Sequence, residues 1–343
     1  MKLHFDSDYM RGGHPEVMER LMNTNLEATP GYGHDDYTAQ ACALVMKACG
    51  LYDGCVKLLV GGTQTNATVI DALLRNTEGV LATETSHINV HESGAVEASG
   101  HKVIVLPSEN GKLKAEDVAL YLDRFYADDT WEHMVIPGMV YITQPTEVGT
   151  LYSLAELKAL SEVCHRYSLR LYLDGARLAY ALASPMSDVT LPDIARLCDA
   201  FYIGGTKCGA LFGEAVVFPT RSITRYFFTH IKQHGALFAK GRILGLQFEA
   251  LFTNGLYQRI GDNAVRMAMK MKQGFVDKGY RLMMDSPTNQ QFFVLPNDVI
   301  DRLLAVATFE YWGPRGNSES AVRFVTDWST TEDDIDTLLA ALP

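Results

Sequence analysis

Lys207 ends an apolar run, Phe201-Tyr-Ile-Gly-Gly-Thr206-Lys207, and Asp174 ends another, Leu169-Arg-Leu-Tyr-Leu-Asp174, which continues into Gly-Ala-Arg177. Runs of this kind read as buried strands, and open α/β sheets take their ligands at the C-terminal ends of strands. A lysine in an apolar site can lose its proton, and the neutral amine condenses with an aldehyde to give a Schiff base. A carboxylate in the same pocket suits the protonated ring nitrogen of pyridoxal 5′-phosphate (PLP). The bland readings are a surface lysine following a strand and a structural salt bridge between Asp174 and Arg177. Three features favour the cofactor reading. The strand before Lys207 is apolar on both faces, Gly204-Gly205 allows close backbone approach to a ligand, and the Thr206 hydroxyl could reach a phosphate.

Three further groups could take part. Gly61-Gly62-Thr63-Gln-Thr-Asn66 lies between an apolar run and a helical stretch, where free amides make an anion site. Glycine turns at strand exits are common, so this signal is weak alone. A dinucleotide-binding reading would use the same turn, with Glu84 closing the next strand. The sequence has neither G-x-G-x-x-G nor G-x-x-x-x-G-K-[ST], and that reading leaves Lys207 and Asp174 without a purpose. His87-Ile-Asn-Val-His91 spaces two histidines as on a zinc helix, yet Ile88 stands where H-E-x-x-H needs glutamate. No metal is expected, and His87 is better read as a ring stacked on a cofactor or as a base. Arg323, mid-strand in Ala321-Val-Arg323-Phe-Val325, either faces solvent or offers its fork to an α-carboxylate.

The elements that must carry these residues alternate. Residues 56–60, 79–83, 102–106, 140–143, 169–174, 201–204 and 214–218 read as strands. Helical patterns occupy about 15–22, 37–49, 65–74 and 115–125. Ser153-Leu-Ala-Glu156 is a capping box opening another helix. Such alternation predicts an α/β fold with a mainly parallel sheet between helices. Near residue 220 the pattern changes to a long helical region, about Ile223 to Lys278, interrupted at Gly235, Gly241 and Gly255. Short strands at 291–295 and 321–325 follow, with helices from about Asp298 and Thr331, so residues from about 245 read as a smaller α+β domain.

Composition narrows the partners. The 343 residues are 47% hydrophobic and 21% charged, a globular balance. A net charge of −11 argues against nucleic acid or anionic membrane as the main partner. The six cysteines show no zinc-like or Cys-x-x-Cys spacing and read as reduced, mostly buried thiols. No signal-peptide core or membrane-length apolar run is visible, so a soluble cytoplasmic protein is expected.

With these pieces placed, the chain resembles the low-specificity L-threonine aldolases of the fold-type-I PLP enzymes over nearly its whole length. Asp174-Gly-Ala-Arg177 with Lys207 downstream is the specific part of the match. Ser7-Asp8, the Gly31-Tyr32-Gly-His-Asp-Asp36 loop and Gly62-Thr63-Gln-Thr-Asn66 are similar to the family's N-terminal, tyrosine-loop and phosphate-binding motifs. The resemblance implies a fold-type-I sheet of seven strands and PLP bound by Gly62, Thr63, His87, Asp174, Arg177, Thr206 and Lys207. It implies a substrate held by Ser7, Tyr32, Arg177 and Arg323, with Lys232 reaching a neighbouring subunit's phosphate. Residues 1–30 would be a segment feeding the active site, 31–244 the large PLP domain and 245–343 the small domain. The implied activity is cleavage of L-threonine, L-allo-threonine or a related β-hydroxy-α-amino acid to glycine and an aldehyde, in a homodimer or homotetramer with shared sites. β-Elimination or transamination on another amino acid is the alternative that the same cradle would serve. One motif departs: where many members have Glu-Asn-Thr-His-Asn, this chain has Gln144-Pro145-Thr146-Glu147-Val148. The catalytic set is therefore Lys207, His87 and Glu147, with His87, or a water held by His87 and Glu147, as the base.

Overall fold

The computed structural model describes residues 2–221 and 225–343. The chain opens with β1 (Leu3–His4), α1 (Pro15–Asn23) and α2 (Asp36–Ala48). Alternation then begins: β2 (Cys55–Leu59), α3 (Gly62–Leu73), β3 (Glu78–Thr83), the single turns α4 (His87–Val90) and α5 (Ala95–Ala98), and β4 (Val103–Leu106). It continues through α6 (Ala115–Ala127), β5 (Ile136–Thr143), α7 (Leu154–Arg166), β6 (Arg170–Asp174), α8 (Leu178–Leu182), α9 (Leu191–Leu197), β7 (Ala200–Gly204) and β8 (Glu214–Phe218). Each strand lies within a few residues of its expected position. The Ser153–Glu156 capping box forms at the start of α7, both reciprocal bonds included.

The seven strands make one sheet in the order β2-β8-β7-β6-β5-β3-β4. Strands β7, β6, β5, β3 and β4 run parallel, while β8 is antiparallel to both β7 and β2. This reversal matters for the site. The C-terminal ends of β6 and β7 and the N-terminal end of β8 all meet at one edge of the sheet. Every residue of β7 and β8 is buried, which explains the apolar runs Ala200–Gly204 and Ala215–Phe218. Burying a side chain such as Phe201 contributes about 1.5–3 kcal/mol, so these strands anchor whatever follows them.

Beyond β8 the expected long helix is three: α10 (Phe227–Gln233), α11 (Arg242–Leu251) and α12 (Leu256–Asp277). Its expected start at Ile223 lies outside the described residues. Gly235 and Gly255 break it with positive φ of 71° and 68°. Strands β9 (Arg281–Met284) and β10 (Gln290–Pro296), helix α13 (Asn297–Val306), strands β11 (Ala307–Thr308), β12 (Glu310–Tyr311) and β13 (Glu319–Val325), and α14 (Glu332–Ala341) complete the chain. They include an antiparallel sheet, β12-β13-β10-β9, while β1 pairs with β11 and ties the N-terminus to this end of the chain. The apolar core of this part gathers Met267, Met271 and Phe275 with Phe293, Phe324 and Leu338. The other half of α12, with Leu256, Ile260 and Ala264, belongs to the large core under the seven-stranded sheet. Among the described residues no helix is long and apolar enough to cross a membrane, and all six cysteines are free thiols.

Candidate active site

A cavity of about 170 Å³ opens at the edge where β6, β7 and β8 meet, lined by Gly62, Thr63, His87, Glu147, Asp174 and Lys207 among others. With Thr206, the fold therefore gathers seven of the residues singled out in the sequence. Lys207 follows β7 on a turn whose Gly205 and Thr206 amides both donate to the Gly213 carbonyl, at 2.9 and 3.1 Å. Its backbone carbonyl accepts from the Tyr180 hydroxyl. No described residue pairs with its Nζ, which leaves the amine available in the cavity.

Asp174 is 4% exposed and is held by neutral donors alone. Its Oδ2 accepts from Tyr141 Oη at 2.6 Å and Asn66 Nδ2 at 2.9 Å, and its Oδ1 accepts from the Ala176 amide at 3.0 Å. Burial pushes this carboxyl up, but hydrogen bonds from Tyr141 and Tyr202 and the nearby His87 outweigh it and hold Asp174 below the usual carboxylate range. The alternative reading, a salt bridge from Asp174 to Arg177, does not form. Arg177 instead grips Asp8, with Nε–Oδ2 at 2.6 Å and Nη2–Oδ1 at 3.1 Å, and Asn289 Nδ2 supports Asp8 at 2.9 Å.

His87 opens the single turn α4, and its Nδ1 lies 2.7 Å from Glu92 Oε1. Glu92 has a fully buried side chain and also accepts from Asn66 Nδ2 at 2.8 Å. Asn66 thus braces Glu92 and Asp174 together. Burial works against the imidazolium, yet Glu92, Glu147 and Asp174 prevail and raise the His87 pKa above its ordinary value. The N-terminus of α3 supplies Gly62 and Thr63, and no described side chain caps it, so its first amides are free for an anion. A Cβ at Gly62 would come within 3.3 Å of the Tyr202 hydroxyl, so glycine keeps this wall of the cavity open.

Two expectations change on the structure, and two groups of residues lie outside this cavity. Gly204 and Gly205 serve close approach to protein backbone rather than to a ligand: Cβ atoms there would fall 2.2 Å from the Ala176 carbonyl oxygen and 2.7 Å from that of Gly213. The Thr206 hydroxyl lies in the cavity wall but is bonded to Glu214 Oε1 at 2.7 Å. Arg177, Arg323 and Ser7 lie beyond the cavity lining. Arg177 spends two of its donors on Asp8, whereas Arg323 bonds Gln290 at 2.9 Å, pairs with Glu310 and stacks on Trp312. Burial and the positive charge of Arg177 push the Arg323 pKa down. Ser7 Oγ and Arg323 Nε are each buried without a hydrogen-bond partner among the described residues. Finally, Tyr32 and Lys232 do not enter this cavity within one chain. They meet elsewhere, with Lys232 Nζ 4.7 Å from the Tyr32 ring, and Tyr32 lines a separate groove of about 260 Å³.

Sequence reading missed Asp8, Asn66, Glu92, Tyr141, Tyr202 and Glu214 as contributors. Asp8 and Asn66 stood inside motifs already noticed; the others carry no local signal.

A free lysine amine and a buried carboxylate bonded only by neutral donors, at the C-terminal edge of this mixed sheet, define a PLP-dependent enzyme of fold type I. The chain belongs to the beta-eliminating lyase family, which it matches over residues 4–296. It is similar to the low specificity L-threonine aldolase of Pseudomonas aeruginosa, with 31% identity over 340 residues covering 95% of this chain and 93% of that protein. The structure of Leishmania major threonine aldolase matches with a TM-score of 0.95 at 40% identity, over 98% of both chains. A Thermus thermophilus aspartate aminotransferase mutant shares the fold alone, at 13% identity and a TM-score of 0.71 over 99% of this chain and 90% of its own. The cavity fits the family's PLP. Lys207 would take its aldehyde carbon, Asp174 its ring nitrogen, and Gly62 and Thr63 its phosphate.

Proposed function

We propose that this protein is a PLP-dependent aldehyde-lyase that cleaves L-threonine, L-allo-threonine or a related β-hydroxy-α-amino acid to glycine and an aldehyde. The observation that carries the reading is that His87 and Glu147 share the cavity with Lys207 and Asp174. A base and a hydroxyl partner thus stand beside the cofactor position. When bound, PLP supplies the electron sink for the pair released as the Cα–Cβ bond breaks.

The chain's own residues supply the rest. Ser7, Arg323 and the unspent Nη1 of Arg177 would hold the substrate carboxylate, which fixes the bond presented for cleavage; such orientation is a large part of the rate. His87 takes the β-hydroxyl proton, directly or through a water shared with Glu147, and Glu92 stabilises the imidazolium that results. Asp174 stays ionised and would keep the cofactor's ring nitrogen protonated. Lys232 and Tyr32 would serve the site of a neighbouring subunit in a homodimer or homotetramer.

The test is purified protein with added PLP, given L-threonine and L-allo-threonine. Glycine and acetaldehyde are expected in equal amounts. Inertness toward both, with pyruvate and ammonia released from β-substituted amino acids or a keto acid formed by amino-group transfer, would overturn the reading.

A further inference from the structure

Glu214 is a third carboxyl in the cavity wall, beside Asp174 and Glu147, and the aldolase chemistry above does not use it. It is the first residue of β8, 2% exposed, and it closes the lysine turn from behind. Its Oε2 accepts from the Gly205 amide at 3.2 Å and its Oε1 lies 2.7 Å from Thr206 Oγ1. Thr206 Oγ1 in turn accepts from the Gly213 amide at 3.0 Å. The other acceptor near the Thr206 hydroxyl is the Gly213 carbonyl at 3.5 Å, and it already takes the Gly205 and Thr206 amides.

A threonine hydroxyl has one proton. When Glu214 is ionised, that proton is committed to Oε1, and Thr206 has nothing to give to an anion. When Glu214 is protonated, Oε1–H donates to Thr206 Oγ1, and the threonine proton is released toward the cavity that Gly62 and Thr63 also line. We propose that Glu214 is a positioning residue for the cofactor phosphate: its proton turns the Thr206 hydroxyl into a donor, so phosphate binding requires Glu214 in its protonated form and takes up a proton wherever that carboxyl is ionised in the empty protein. The inference rests on the PLP reading of the site.

The surroundings support a proton on Glu214. Burial pushes its carboxyl up to about 8 despite Thr206, Lys207 and the Gly205 amide. The groups facing it are Lys207 and Cys208 from the turn, Asp174 and Tyr172 from β6, Tyr202 from β7 and Tyr257 from α12. Burial pushes Cys208 up to about 12 and the three tyrosines well above their ordinary range, and Asp174 is held low. An ionised Glu214 would also set a negative charge beside a phosphate, a repulsion that protonation removes.

The experiment uses the full-length, cofactor-free protein and pyridoxamine 5′-phosphate, which lacks the aldehyde and so cannot condense with Lys207. Its dissociation constant is measured from pH 6.5 to 9.5 beside that of pyridoxamine, which lacks the phosphate. Phosphate-dependent affinity is expected to weaken above pH 8 toward about tenfold per pH unit, the linkage limit for one proton. Glu214→Gln, whose amide donates to Thr206 at every pH, is expected to flatten that dependence. Thr206→Val is expected to flatten it with weaker binding, and Thr206→Ser to keep it. An unchanged pH slope in Glu214→Gln or Thr206→Val, or an equal slope for pyridoxamine, overturns the role of Glu214 while leaving the PLP site standing. No binding of pyridoxamine 5′-phosphate at any pH overturns the PLP reading and this inference together.

Discussion

Asp174 and Arg177 stand three residues apart in one motif, yet they do not pair. Arg177 reaches back to Asp8, and Asp174 keeps a full negative charge among neutral donors. A buried carboxylate without a cation is costly unless a cationic ligand group completes it. Asp174→Asn is therefore expected to lower turnover about 10²–10³-fold, the scale of losing one strong preorganised electrostatic contact. Steady-state threonine cleavage at saturating PLP checks this; near-normal turnover would remove Asp174 from its place opposite the ring nitrogen.

The Asp8–Arg177 pair predicts a stability effect. Asp8→Ala leaves a buried guanidinium uncompensated and is expected to cost about 3–5 kcal/mol. Burial pushes the Asp8 carboxyl up, but Arg177 and Lys207 hold it below its ordinary value. The stabilisation is thus complete above the unfolded pKa of about 3.9 and fades as pH falls through the lower folded value. Urea unfolding at pH 7 should show the full gap between the two proteins, and the gap should narrow in stronger acid.

Lys207→Ala is expected to abolish the visible absorbance of the PLP-loaded protein and to cut threonine cleavage more than about 10³-fold. Both readouts are needed, because cleavage that survives the loss of colour would assign the covalent role to another amine.

Glu92 is expected to set the acid limb of the pH–rate profile. It favours the charged imidazole and raises the His87 pKa, so Glu92→Gln lowers that pKa. A base works only when deprotonated; the acid limb of kcat should move to lower pH in the variant. A profile that stays in place would point to a base other than His87.

Glu147 lines the cavity together with His87 and Lys207. Glu147→Gln keeps the shape and removes the charge. It is expected to change the ratio of L-threonine to L-allo-threonine cleavage about five- to tenfold, the weight of one hydrogen bond of about 1–1.5 kcal/mol. Competition between the two epimers, with aldehyde measured over time, reads this directly.

Most of the scaffold was legible because its signals are local. Apolar runs marked β6, β7 and β8, Ser153 and Glu156 announced α7, and glycines marked the end of α10 and the start of α12. Lys207 and Asp174 were legible because each charge follows such a run. The rest was not, because it depends on pairings distant in sequence. Asp8 and Arg177 are 169 positions apart, and Asn66 and Asp174 108. Tyr141, Tyr172 and Tyr202 read as ordinary core aromatics in their strands, and Glu214 as an ordinary strand start. Only the sheet order, which sets β8 antiparallel beside β7, brings Glu214 behind the lysine.

Helix α12 is 22 residues long, about 33 Å, and its two halves lie in different cores. It acts as a shared spine, so the part of the molecule that presents Arg323 cannot be exchanged as a cassette between relatives at a seam inside that helix. A chimera joined near Gly255, ahead of the first turn, would keep the spine whole; one joined near Met267 would mate two half-helices shaped for different neighbours and should fail to fold.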